Sequence, residues 1–334
     1  MITALTEKLK LRYPLVNAPM TPQAGGLLAG TVARAGALGM LGLDENEPEA
    51  SMLDELRLLR ETAGGAPFGI GLVRWVIDQR PALIDLAIAA RPAIVSISFG
   101  DPAPFVPRFH EAGILVASQV QSKGWAETAL AAGVDIIVAQ GTEGGGHTGN
   151  VGTLPLLQIV LELAGETPVV AAGGIATGRG LAAVLAAGAC GAWIGTPFLG
   201  ASEARTNAEA VRRLVGADET ETILTSAFDR VQHKAWPAEF RGRALRNSFT
   251  DAWTGREDDI TADAEAAFLA ARSARDYTVA NIYAGQTVGL VRSVESAATI
   301  VERIASDAEQ RLQAVGDITA CVMAAKSDPE STPR

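Results

Sequence analysis

The sequence predicts a (β/α)8 barrel with a helical insertion towards its C-terminal part, and two observations favour this fold. Short apolar runs alternate with longer Ala- and Leu-rich stretches of helical spacing over the first 200 residues. The runs are apolar throughout, which is typical of strands that a parallel sheet buries on both faces. Eight such units in succession fit a closed barrel better than an open sheet.

The predicted strands follow one another along the chain with helical segments between most of them. They span residues 15–20, 37–43, 67–73, 93–99, 114–120, 135–140, 168–172 and 192–196. Residues 128–133 and 181–188 are helical segments that end in the glycine favoured after a helix. An open Rossmann sheet is the alternative fold. It should carry GxGxxG directly after the first strand, and residues 18–26 lack that pattern.

The character of the sequence changes after residue 200. Residues 201–276 are polar, have helical spacing and contain no convincing strand, so we interpret them as a mostly helical insertion over the C-terminal mouth of the barrel. Residues 1–200 and 277–325 then form the barrel itself. Residues 326–334 resemble a flexible tail in composition.

Composition and charge exclude several classes of function. The 334 residues carry a formal net charge of −10, which argues against a nucleic-acid partner or an anionic membrane surface. The two cysteines, Cys190 and Cys321, are far apart, so we expect no disulfide framework and no metal site, and we expect Cys190 to be a buried thiol. The start of the chain has no signal-peptide pattern, and no run reaches the roughly 18–20 apolar residues of a membrane span. The expected location is the cytoplasm.

Two glycine clusters at the end of the barrel predict a phosphate site. Ala172, Gly173 and Gly174 follow the seventh predicted strand, and Gly195 and Thr196 end the eighth. Loops after these two strands commonly bind phosphate in barrels, because bare backbone N–H groups can approach its oxygens. Each cluster alone is more typical of a tight turn. The pair, one helical unit apart, favours phosphate.

A glycine-rich loop after the sixth strand carries a candidate general base. Residues 141–149 include five glycines and His147. The ordinary pKa of histidine is the closest to neutrality of any side chain, so it can accept and return a proton. Single histidines are often structural, but the flanking glycines offer this one little packing. We therefore predict a catalytic role for His147.

The residues at the end of the first strand could line one side of a bound, flat aromatic ring. Ala18, Pro19 and Met20 place a bend and a polarisable thioether there, although Met20 could equally fill the core. Gln119 on the fifth strand and Gln140 on the sixth have side chains suited to the heteroatoms of such a ring. Their neighbours leave open whether they face the lumen or the helix layer.

Taken together, these segments resemble the nitronate monooxygenase family, formerly called 2-nitropropane dioxygenases. The resemblance covers residues 8–305 and keeps the order of the family. The segments that carry it are residues 17–20, 139–147, 172–180, 195–198 and 283–290. It implies FMN as the cofactor, oxidation of alkyl nitronates with O2, and no metal.

The resemblance also implies roles for individual positions. Gln140, Gly145 and Gly146 would contact the flavin, and His147 would remove the α-proton of a neutral nitroalkane or position a preformed nitronate. The phosphate would be bound by Gly174 and by residues of the eighth strand, namely Trp193, Ile194, Gly195 and Thr196.

Two positions depart from the pattern of the family. Gly71 stands at a flavin-contacting place where the family usually has asparagine, which predicts a lost contact and a wider pocket. Gln119 stands where some relatives have lysine, so positive charge near the flavin would be weaker.

Other functions stay open on the sequence alone. An FMN reductase that takes electrons from NAD(P)H and acts on a quinone or an enoyl thioester would use the same barrel. A non-catalytic barrel that binds a phosphate ligand is a third interpretation. The sequence leaves open whether the protein is a monomer or a homodimer.

Overall fold

A barrel of parallel strands forms the centre of the protein in a computed structural model, which describes residues 1–327. The strands within that range are β1 (Leu15–Asn17), β2 (Gly39–Gly42), β3 (Phe68–Val73), β4 (Ile94–Ser98), β5 (Leu115–Val120), β6 (Ile136–Gln140), β7 (Gly146–Thr148), β8 (Val169–Ala172), β9 (Gly191–Ile194), β10 (Thr222–Thr225) and β11 (Arg241–Leu245). Eight of them are hydrogen-bonded in the order β1-β9-β8-β6-β5-β4-β3-β2. A bridge between Val16 and Leu38 brings the two edges together. The predicted barrel is confirmed.

Helices alternate with the barrel strands and continue beyond them. The α-helices within residues 1–327 are α1 (Ala4–Leu9), α2 (Gly26–Arg34), α3 (Glu49–Ala63), α4 (Arg74–Gln79), α5 (Ala82–Ala89), α6 (Val106–Glu111), α7 (Lys123–Ala131), α8 (Thr153–Ala164), α9 (Gly178–Ala186), α10 (Thr196–Leu199), α11 (Ala208–Gly216), α12 (Ala227–Val231), α13 (Ser248–Trp253), α14 (Ala262–Ala274) and α15 (Ala297–Ser327). Two short 3-10 helices span Glu257–Asp259 and Gln286–Leu290.

Two apolar layers explain why the strands read as continuous apolar runs. Alternate strand residues face outwards and pack against the helices, while the others fill the lumen. Leu5 and Leu9 of α1 belong to the lumen cluster, together with Met40, Val138 and Trp193. Cys190 lies in the same cluster, and burial raises the pKa of its thiol to about 11. It is therefore a buried thiol, as the sequence predicts.

A second, antiparallel sheet lies beside the barrel and corrects one expectation. It has the order β10-β11-β7, so two of its strands come from residues 201–276, where we expected none. The error has a physical cause: Arg241 and Arg243 interrupt the apolar pattern of β11, and its partner β7 lies more than 90 residues away along the chain. The division into a barrel and an insertion at residues 201–276 stays a prediction.

The C-terminal tail and the apolar character of the helices are the last features of the fold. Most of the tail predicted to be flexible, residues 328–334, lies outside the described residues. Among residues 1–327, no helix combines the length and the apolar character that crossing a membrane requires.

Candidate active site

The connection between β6 and α8 positions the candidate base at the mouth of the barrel, by which we mean the C-terminal ends of the barrel strands. β7 lies in this connection and pairs with β11, with His147 opposite Gly242. The connection is rich in glycine, but its pairing with β11 fixes its backbone in an antiparallel sheet. His147 is fixed in place by backbone hydrogen bonds as well as by its side chain.

His147 forms a close pair with Asp229, which the sequence analysis did not select. The imidazole Nε2 lies 2.9 Å from each carboxylate oxygen of Asp229, which belongs to α12. The side chains of His147 and Asp229 are only 8% and 9% exposed. A hydrogen bond in such a buried setting is electrostatically stronger than one in water.

Tyr283 contacts the same carboxylate. Its hydroxyl donates to Oδ1 of Asp229 over 3.4 Å, and its ring lies 5.6 Å from that of His147, centroid to centroid. Burial raises the pKa of Tyr283 well above the usual value, and the neighbouring charge of Asp229 raises this pKa further. The phenol therefore stays protonated and can donate its hydrogen bond to Asp229.

This arrangement selects which ring nitrogen of His147 can act as a base. An ionised carboxylate only accepts hydrogen bonds, so Nε2 carries the proton when it faces ionised Asp229. Nδ1 is then left with its lone pair, and it forms no hydrogen bond within residues 1–327. With this tautomer, Nδ1 is the ring nitrogen that could accept a proton.

Aromatic rings enclose His147 on the side away from Asp229. Trp236 stacks on the imidazole with centroids 3.5 Å apart and an interplanar angle of 6°. Phe99 and Trp75 meet the Trp236 ring at steep angles, 83° and 70°. Phe240 in turn contacts Phe99. We call the space bounded by His147, Phe99 and Trp75 the aromatic slot, and the indole of Trp236 occupies it.

A chain of two amides supports the backbone of His147 from the lumen. Gln140 Nε2 donates to the His147 carbonyl over 3.0 Å, and Gln121 Nε2 donates to Gln140 Oε1 over 2.9 Å. The carbonyl can only accept, so it fixes the orientation of both amides. Gln121 Oε1 ends this chain, buried and without a donor among the described residues.

The two glycine loops carry backbone N–H groups that the protein does not use. Gly173 and Gly174 follow β8 with φ angles of +90° and +71°, which glycine adopts at little cost. Their N–H groups, and that of Gly195 after β9, donate no hydrogen bond within residues 1–327. Because β8 and β9 are neighbours in the barrel, both loops lie at the same part of the mouth.

Two other predicted contacts are engaged within the protein. Thr196 Oγ1 accepts a hydrogen bond from the backbone N–H of Gly285 over 2.9 Å. Gly145 lies against the same segment, since a Cβ on it would come within 2.5 Å of the Gly285 nitrogen. Gly146, in contrast, has open space where a Cβ would be. The 284–286 segment therefore ties the histidine loop to the end of β9.

The expectation of a wider pocket at Gly71 is wrong. A Cβ at Gly71 would lie 2.4 Å from both Cβ and Cγ of Pro19. The proline ring that follows β1 thus fills the space that a side chain on β3 would take. Met20 is equally close to the eighth barrel strand, with its sulfur 3.2 Å from a Cβ placed on Gly195.

Comparison with known proteins places the chain in a family. The family model described as nitronate monooxygenase matches residues 77–307, more than half of the chain. The chain belongs to the nitronate monooxygenase family. It is similar to nitronate monooxygenase npaC of Metarhizium robertsii, with 35% identity over 91% of this chain and 93% of that protein.

Two further members of this wider group differ in what they act on. The (3aS,4S,5R,7aS)-5-hydroxy-7a-methyl-1-oxo-octahydro-1H-indene-4-carboxyl-CoA dehydrogenase of Rhodococcus jostii is 29% identical over 95% of this chain and 99% of its own length. The solved structure of nitroalkane oxidase from Streptomyces ansochromogenes aligns with a TM-score of 0.81 and 28% identity. It covers 94% of this chain and 100% of that chain. A nitronate monooxygenase family member with these relatives is an oxidoreductase.

Within this family framework, most positions selected from the sequence meet at the mouth or in the lumen. Gln119 and Gln140 share strand faces with Ala117 and Val138 of the lumen cluster, so the alternation of side chains turns both towards the lumen. Ala172 and Trp193 also belong to that cluster. Ile194 is different, because it packs with the outer core and only its backbone is available to the mouth.

Asp229 and Trp236 are among the site residues that sequence reasoning missed, as are Tyr283 and Gln121. Asp229 is separated from His147 by 82 positions and belongs to a stretch with several other acidic residues. One local signal was available: it is an acid inside the short apolar segment 227–231, whose neighbours Phe228 and Val231 are buried. A carboxylate in such a segment needs a partner.

Proposed function

We propose that this protein oxidises alkyl nitronates, and neutral nitroalkanes after loss of their α-proton, with FMN as cofactor and O2 as oxidant. The observation that carries the proposal is the buried His147–Asp229 pair at the mouth of the barrel. A base held in one tautomer suits removal of a proton from carbon. The family, and the nitroalkane oxidase among its solved relatives, support this choice of substrate.

The residues at the mouth are compatible with FMN. Free N–H groups of Gly173, Gly174 and Gly195 would bind the phosphate, close to the start of α9. Gln121 Oε1 and Trp193 Nε1 are among the buried polar atoms that lack partners within the described residues, and a ring with both donors and acceptors would satisfy such atoms. When bound, FMN would supply the redox chemistry by taking electrons from the substrate and passing them to O2.

His147 and the side chains around it would accept the α-proton of the substrate and stabilise the resulting charge. With a neutral nitroalkane, Nδ1 of His147 takes the α-proton, and the charge that appears on the imidazole is stabilised by Asp229 through Nε2. Tyr283 holds the Asp229 carboxylate in place through its hydroxyl. With a preformed nitronate no proton has to leave carbon, so His147 would then serve to bind the anion.

The absorbance spectrum of the purified protein, followed by anaerobic mixing, tests this proposal. We expect a yellow protein with one FMN per chain, whose colour is bleached quickly by ethyl nitronate and slowly by NADH or NADPH. A colourless protein that takes up no FMN on reconstitution would contradict the cofactor. Loss of colour with NAD(P)H but not with nitronate would contradict the substrate.

A second function is favoured by one relative and one cavity. The Rhodococcus jostii protein is named for a CoA thioester, and FMN-dependent chemistry on a thioester or quinone with NAD(P)H would use the same barrel. A cavity of about 290 Å³ beside the aromatic slot is lined in part by Trp75, Lys234 and Arg272. Lys234 is paired with Glu45 in the same lining, so Arg272 is the cation there that would suit a phosphate of a CoA arm. Rapid anaerobic bleaching by NADPH would favour this function.

A further inference from the structure

The aromatic slot has the shape of a flat ring. Its floor is the imidazole of His147, parallel to the occupant within 6° and 3.5 Å from it between centroids. Phe99 and Trp75 close it from the sides, with centroids 4.9 Å and 5.6 Å from that of the occupant. The contacts with Phe99 and Trp75 have the edge-to-face arrangement that aromatic rings prefer.

The occupant, Trp236, is held only by ring contacts. Its side chain and its backbone form no hydrogen bond within residues 1–327. It lies in the segment 232–240, which joins α12 to β11 without regular secondary structure, and it is partly exposed. Its neighbour Lys234, by contrast, is fixed by an ion pair with Glu45 and by a backbone bond to Asp229. Trp236 is therefore positioned by ring packing without a hydrogen bond, unlike Lys234 in the same segment.

The indole in the slot covers one face of the proposed base. With Trp236 in place, the side chain of His147 is 8% exposed, with Asp229 on its Nε2 edge and the indole over one face. A substrate group that stacks on this face of the imidazole has to displace the indole, whereas a small alkyl group that approaches the Nδ1 edge does not. The cavity of about 290 Å³ lined by Trp75, Lys234 and Ala235 lies directly beside the segment and offers room for such a movement.

We propose that the substrate carries a flat apolar ring next to its reacting carbon, and that this ring stacks on His147 in the position that the indole of Trp236 holds. The inference rests on the proposed function and names its substrate class as aryl-substituted nitro compounds. A ring restores the stacked and edge-on contacts that the departing indole gives up. A small alkyl group does not, so it would leave part of the slot empty.

This exchange predicts an unusual effect of mutation. If the indole competes with the substrate ring for one position, removing it strengthens ring binding, because the free protein is already in its binding-competent form. If Trp236 were instead a fixed wall that stacks on the substrate, the same change would weaken ring binding. The two arrangements therefore give opposite signs.

Calorimetric binding to the FMN-loaded protein distinguishes them, with two nitro compounds that lack an α-hydrogen and so do not react. Nitrobenzene presents a flat ring, and 2-methyl-2-nitropropane presents a compact alkyl group. We expect the wild type to bind nitrobenzene about tenfold tighter than it binds 2-methyl-2-nitropropane. Trp236→Ala should tighten nitrobenzene binding about tenfold further and leave the alkyl compound unchanged. Trp236→Phe, which keeps a competing ring, should stay near the wild type, as should Trp253→Ala, which lies away from the slot.

Weaker or unchanged nitrobenzene binding in Trp236→Ala, or equal affinity of the wild type for the two compounds, would overturn the inference. The outcome is separable from that of the proposed function. A protein that binds FMN and oxidises ethyl nitronate, but shows no preference for the ring, refutes the ring site alone. A protein that prefers the ring but is not bleached by any nitronate refutes the reaction and leaves the ring site standing.

Discussion

The imidazole of His147 and the carboxylate of Asp229 form a buried pair, with Nε2 2.9 Å from both oxygens. The other two histidines also meet carboxylates, His110 with Asp135 and His233 with Glu265. Their side chains, however, are 41% and 75% exposed, whereas that of His147 is 8% exposed. Burial separates the candidate base from two surface ion pairs, which contribute little.

Replacement of Asp229 by asparagine tests the role of this pair. The amide lacks the charge that fixes the proton on Nε2 and stabilises the protonated ring. We expect turnover of neutral nitroethane to fall by about 100-fold or more, while turnover of preformed ethyl nitronate changes by only a few-fold. The nitrogen-15 chemical shifts of His147 should show an altered tautomer. Asp258→Asn, on an exposed residue of the same region, is the matched control. It should change neither the turnover of nitroethane nor the chemical shifts of His147.

The amide chain behind His147 makes a separate prediction about stability. Gln121→Met keeps the size of the side chain but removes the donor to Gln140 Oε1. A buried acceptor without a donor costs about 1–3 kcal/mol, so we expect the free energy of unfolding in urea to fall by that amount. Gln158→Met, on an exposed residue of α8, should change it by less than about 0.5 kcal/mol. If the two changes lowered the free energy of unfolding equally, the hydrogen bond between Gln121 and Gln140 would contribute nothing to stability.

The glycine loop after β8 makes a prediction about the cofactor. Gly174 has a φ of +71°, and a Cβ there would lie 3.4 Å from that of Glu143. An alanine in this conformation costs about 1–2 kcal/mol, and relaxing it would shift the N–H groups proposed to bind the phosphate. We expect the FMN dissociation constant to rise about tenfold in fluorescence titrations. Gly216→Ala, at an open position of α11, should leave it unchanged, and equal loss in both variants would argue against the phosphate site.

The contact between Gly71 and Pro19 predicts a clash and its rescue. Gly71→Asn introduces the residue usual in the family, but its Cβ would lie 2.4 Å from the Pro19 ring. We expect a loss of about 1–3 kcal/mol in stability, measured by urea denaturation. The additional change Pro19→Gly should recover part of it, because it removes both Cβ and Cγ of the obstructing ring. If Gly71→Asn were fully stable by itself, the close approach of Pro19 would not constrain this position.

The barrel could be predicted from the sequence because its strands are buried on both faces. Each run, such as residues 136–140 in β6, is apolar at almost every position, and this pattern does not depend on distant partners. β10 and β11 were missed because their pattern is mixed and β11 depends on pairing with β7. Pairing across the chain leaves little trace in local composition.

The candidate site was predictable to a different degree for each residue. His147 and the glycines stand in distinctive local patterns, so the sequence selects them. Asp229 and Trp236 become part of the site only because α12 and the segment after it fold back over β7. Gln140 illustrates a third case: its position was selected, but the structure gives its amide a bonded place between Gln121 and the His147 carbonyl.

The most direct test of the central claim is the activity of His147→Asn on two forms of one substrate. The variant should keep FMN at the wild-type ratio and should still oxidise preformed ethyl nitronate. Its turnover of neutral nitroethane should fall by about 100-fold or more, because the asparagine amide has no basic nitrogen to take the α-proton. Wild-type turnover of neutral nitroethane by this variant would contradict the assignment of His147 as the base.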